Sequence, residues 1–122
     1  MARAHGVVAN ALELLEIEEV GRLSSPGEVF TAAERAYAAS KADPERRLAV
    51  RLAAKRAALR LLGSGLGFAD VEVLPARGGP PSLRLSPRAA ERLRALGATR
   101  TLVSLTHGRT HAAATVLALE DA

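Results

Sequence analysis

The sequence predicts an α+β fold, compact and built as a single domain. A helical apolar stripe dominates residues 44–62, apolar and polar residues alternate in short runs after residue 70, and 122 residues suffice for one core but not two. Residues 1–122 therefore read as one domain.

Residues 7–20 carry two periods at once. Val8, Leu12, Leu15 and Glu19 have helical spacing, Val8, Leu12 and Leu14 share a strand face, and propensity favours the helix. Thr31 followed three residues later by Glu34 is the signature of a capping box, which predicts a short helix through "TAAERAYAAS". "KADP" ends it, because the residue before Pro44 is steered away from helical angles. A longer helix then runs from Pro44 to Leu62 and stops at "GSGLG". "DVEVLP" and "SLRLS" alternate on either side of the turn-forming "ARGGPP" and read as two paired strands. Ser86 caps the next helix, with Pro87 at its first position and Gly97 beyond its last turn. "RTLVSLTH" and "HAAATVLALE" close the chain as two strands joined by a turn at Gly108.

Composition narrows the functions. With 48% apolar and 25% charged residues the chain is globular, and no apolar run approaches the roughly 20 residues of a bilayer span. No membrane association is expected. Glu13, Glu16, Glu18 and Glu19 interrupt any signal-peptide core, so the expected location is the cytoplasm. Without cysteine there is no disulfide, thiolate metal site or cysteine nucleophile. The net charge of +4 suits an acidic partner, yet 2% aromatic residues leave no stacking platform, and nucleic acid is not an expected partner.

Charge gathers in "RLAAKRAALR", residues 51–60, which holds four cations and no carboxylate. Arg51 and Lys55 stand one turn apart, as do Arg56 and Arg60, a spacing that costs a few tenths of a kcal/mol per like-charged pair. Leu48, Leu52, Leu59 and Leu62 form one stripe with Lys55 inside it; Arg51 borders the stripe on one side, Arg56 and Arg60 on the other. A lone lysine in such a stripe snorkels to water. Two cation pairs ahead of Gly63, Ser64 and Gly65, with His107 in a late strand, instead suit a polyanion laid along the helix. The glycines read equally well as helix C-caps, and the lysine of a P-loop is missing. His107 and His111 read equally as turn and strand residues, and as a zinc pair they lack further ligands.

"RLAAKRAALRLLGSGLG" resembles the signature helix of holo-acyl-carrier-protein synthases, the small phosphopantetheinyl transferases. "LELLEIEEV" is similar to the family's N-terminal strand and following turn, "VFTAAERAYA" to its first helix, "DVEVLPARGGPPSL" to its middle hairpin and "VSLTHGRTHAAATVLA" to its closing strands. The resemblance covers nearly the whole chain. It implies the 4'-phosphopantetheinyl transferase fold, a homotrimer with active sites between subunits, and coenzyme A and an acyl carrier protein of fatty acid or polyketide synthesis as partners. In the family an aspartate of the first strand and a glutamate of the signature helix hold magnesium against the coenzyme A pyrophosphate, and a helix lysine assists the departing 3′,5′-ADP.

The resemblance puts Glu13 at the aspartate, Arg56 at the metal-binding glutamate, Arg60 at the lysine and His111 at a position where the family carries tyrosine. A cation cannot coordinate a cation, so it implies a magnesium site reduced to Glu13 alone, weak or lost. Glu16, Arg51, Lys55, Ser64, Gly63, Gly65 and His107 match the family, and of these Arg51, Lys55, Ser64, Gly65 and His107 are the implied coenzyme A ligands. With three catalytic positions changed, the expected function is that of a pseudoenzyme. It would dock an acyl carrier protein, or act on a group tethered to carrier-bound phosphopantetheine with Glu13, His107 and His111 as acid and base. The alternative is an active transferase in which Arg56 takes over part of the metal's role at the pyrophosphate.

Overall fold

In the computed structural model, which describes residues 6–121, the molecule is organised around one helix. This helix, α3 (Pro44–Leu62), begins with proline in its first turn and ends at Gly63, whose φ of +97° excludes any other residue without strain. Ala49, Ala53, Ala54, Ala57, Ala58 and Leu52 face inward and are almost completely buried. Small side chains on this face let the helix lie close against the sheet.

That sheet contains β1 (Gly6–Glu16), β5 (His111–Glu120) and β4 (Arg100–His107), antiparallel throughout and in the order β1-β5-β4. Its helix-facing side carries Ala11, Leu15, Val103, Ala112, Ala114 and Val116, small residues matching the alanines of α3. Residues 7–16 are thus a strand, and the favoured helical reading of 7–20 is corrected over that stretch. Pairing along β5 from Gly6 to Glu16 outweighs a weak local preference, and a 3₁₀ helix takes over only at Ile17–Arg22.

Of two short helices, α1 (Pro26–Val29) and α2 (Ala32–Ala39), the second packs beside α3 and the first against the turn at Phe68–Asp70. The capping box forms as the sequence predicts: Glu34 N–H donates to Thr31 Oγ1, and Thr31 N–H donates to Glu34 Oε1 at 2.8 Å. The hairpin β2 (Val71–Leu74) and β3 (Ser82–Leu85) buries Val71 and Val73 against the same core. α4 (Pro87–Ala95), capped by Ser86, closes a smaller cluster of Leu62, Ala89, Leu93, Ala98 and Ala118. No helix among the described residues is long and apolar enough to cross a membrane.

Candidate functional site

Each cation of the "RLAAKRAALR" run finds a different partner. Lys55 does not snorkel. It is fully buried, and its Nζ donates to Glu34 Oε1 at 2.7 Å, while Glu34 Oε2 accepts from the Val73 N–H at 2.8 Å. Lys55, for which the resemblance implies a coenzyme A ligand, thus has its ammonium turned to Glu34 in the interior. Glu34, visible in the sequence only as a capping residue, instead joins α2, α3 and β2.

One turn earlier, Arg51 is also buried, with its guanidinium stacked 4.4 Å over the Tyr37 ring and Nη1 donating to the Arg47 carbonyl at 3.0 Å. Burial lowers its pKa from the usual arginine value, and its Nε has no hydrogen-bond partner among the described residues. An arginine nonetheless keeps its charge at neutral pH. Arg51 lines a cleft of about 350 Å³ with Tyr37, Arg47, Val50, Val103, Leu105 and His107, roofed by Ala76, Pro80 and Pro81 of the hairpin arm. Two of the expected ligands, Arg51 and His107, do share this cleft. Tyr37 and the arm had no signal in the sequence, since only the fold brings residues so distant in the chain together, whereas Arg47 lies one helical turn before Arg51 and extends its row.

The second cation row faces β1. Glu13 projects from the helix-facing side of that strand, between Ala11 and Leu15, and there Arg60 donates to Glu13 Oε1 and to the Leu12 carbonyl. Arg56 Nη1 donates to Glu19 Oε1 at 3.2 Å. Both side chains keep access to solvent, at 33% for Arg56 and 57% for Arg60. The structure thus brings Glu13, Arg56 and Arg60 to one side of α3, and Glu19 joins them unannounced.

This donor set does not suit the divalent cation that the resemblance implies. Glu13 is bonded to a guanidinium, Arg56 supplies only donors, and among the described residues no three of His, Cys, Asp and Glu gather closely enough to hold an ion.

Of the remaining candidates, His111 borders the second row, since it lines a depression with Glu19, the partner of Arg56. His111 lines a neighbouring depression with Glu16 and contacts Thr110 Oγ1 through Nδ1 at 2.8 Å, so it shares no cleft with His107. Ser64 is exposed in the turn after α3. Gly65, at φ +92°, lends its carbonyl to Arg88 of α4, and a Cβ there would stand 3.1 Å from Arg92 Nη2. The turn is built as a helix stop clamped by α4.

Comparison with known proteins agrees with this architecture. A "Holo-[acyl-carrier-protein] synthase" of Nitratidesulfovibrio vulgaris is 52% identical over 80 residues, which span 62% of this chain and 64% of that relative. One from Anaeromyxobacter sp. is 35% identical over 121 residues, covering 91% of this chain and 94% of the relative. The solved Chronobacterium ammoniagenes ACPS-CoA complex is 27% identical with a TM-score of 0.75, covering 97% of this chain and 98% of that one. Residues 15–116 match the 4'-phosphopantetheinyl transferase superfamily, and with the relatives named as holo-acyl-carrier-protein synthases they place the chain in that family.

Proposed function

We propose that this chain transfers the 4'-phosphopantetheine group of coenzyme A to a serine of an acyl carrier protein. The observation that carries this reading is the cleft beside α3. Arg47, Arg51 and His107 offer cationic and polar groups for a phosphate, while Val50, Val103, Leu105 and the prolines of the arm offer apolar surface for the adenosine beside it. The relatives' names and the likeness to a coenzyme A complex support transfer over the docking-module reading, for which no observation of its own speaks. In the reaction the serine oxygen forms a new bond to the pantetheine-bearing phosphorus. The pyrophosphate P–O bond breaks, 3′,5′-ADP leaves with the electron pair, and the serine proton is released.

The cleft opens at the β4 edge of the sheet, whereas Glu13, Arg56 and Arg60 gather at the β1 edge, with β5 between them. A homotrimer would let one copy's cleft serve another copy's guanidinium pair. The outer sheet face supports such an assembly, because Leu12, Leu14 and Leu102 stand 59%, 65% and 45% exposed on it.

Incubating the chain with coenzyme A and an apo acyl carrier protein, then weighing the carrier by mass spectrometry, tests the proposal. The expected outcome is the addition of one phosphopantetheine group to the carrier. An unchanged mass, with magnesium and without it, overturns the reading.

A further inference from the structure

We infer that Arg56 and Arg60 bind the coenzyme A pyrophosphate directly and leave no role for a divalent cation. This rests on the transferase reading and concerns how the same site carries its charge. A carboxylate replaced by a guanidinium changes the local charge by two positive units, which is the charge of the ion that the carboxylate would have helped to hold. The substitution at Arg56 therefore moves that charge from a dissociable ion onto the chain itself.

Geometry supports the exchange. Arg56 and Arg60 lie one turn apart on α3, the spacing at which side chains of a helix become neighbours. Each is anchored by a carboxylate from the N-terminal segment, Arg56 by Glu19 at 3.2 Å and Arg60 by Glu13. Arg60 is held further by the Leu12 carbonyl. A guanidinium has five N–H donors in a planar fork, so these contacts leave donors free on both residues for phosphate oxygens. Both side chains remain open to solvent, as a ligand site requires. The carboxylates at hand for an ion already serve as anchors, so binding a cation at Glu13 would mean displacing the charge-assisted bond from Arg60.

Two readouts test this. Calorimetric titration of the full chain with coenzyme A, in EDTA and again in excess magnesium, should give affinities that agree within about twofold, and Arg56→Ala or Arg60→Ala should each weaken binding by about tenfold or more. Titration with Mn²⁺, followed by the free-ion resonance, should reveal no site on the unaltered chain. Arg56→Glu, which adds a third carboxylate to Glu13 and Glu19, should create one. Circular dichroism of each variant separates a lost site from a lost fold.

Affinity for coenzyme A that rises about tenfold or more with magnesium overturns the inference. So does a Mn²⁺ site on the unaltered chain that Glu13→Gln abolishes, as does binding indifferent to both arginines. Carrier modification only in magnesium refutes metal independence while leaving the transferase reading intact. Coenzyme A bound through the arginines in EDTA, with no carrier modified in any buffer, does the reverse.

Discussion

Lys55 and Arg56 are adjacent in sequence and differ sharply in what they contribute. The Lys55–Glu34 pair is wholly buried, and such a pair holds only while both charges are present. Lys55→Met should strand the Glu34 carboxylate and cost about 3–5 kcal/mol in urea unfolding, with Glu34→Gln added to it recovering part of the loss. Arg56→Ala, acting on a partly exposed ion pair, should cost no more than about 1 kcal/mol. The sequence made these cations conspicuous but not their partners. Glu34, Glu19 and Glu13 lie 21, 37 and 47 positions away, and no local period registers such distances. Lys55 was therefore legible as an oddity in an apolar stripe, and its role only once α2 had folded onto α3.

Elements were legible where their ends are written locally. The Thr31 and Ser86 caps, proline at both Pro44 and Pro87, and the glycine stops at Gly63 and Gly97 set boundaries that the structure keeps. β1 was not legible from its own residues, because its strand state comes from pairing with β5, over ninety residues later in the chain. A second local device ties the turn at Phe68–Asp70 to α4: Asp70 accepts from Ser86 Oγ at 2.6 Å and from the Gly67 N–H at 2.8 Å. These bonds, that from Ser86 foremost, hold the Asp70 carboxyl below its ordinary pKa. A depressed folded-state pKa stabilises above the unfolded value of about 4 and ceases to do so as the pH falls through the lower folded value. Asp70→Asn should therefore lower the melting temperature at neutral pH, and the gap to the unaltered chain should close as the pH drops below about 4.

For the whole molecule, the fold class could be read from alternation and helical stripes, but the cleft could not. Its lining runs from Tyr37 to His107 and depends on how the hairpin arm settles over α3. The assembly is a separate matter, decided by an apolar sheet face whose residues look like ordinary strand residues in the sequence. If that face joins subunits, Leu12→Glu with Leu14→Lys should shift the sedimentation coefficient to that of a monomer. Coenzyme A affinity should fall with it, since the cleft and the guanidinium pair would no longer meet across a boundary.

The arm over the cleft is continuous with β2, and β2 delivers the Val73 amide to Glu34 in the centre of the core. An occupant touching Ala76 therefore sits three residues along the chain from the Val73 amide. By mass action, an occupant bound only to the folded state shifts the folding equilibrium in proportion to the logarithm of its concentration. Ligand concentration would thus raise the resistance of the chain to unfolding as well as its turnover.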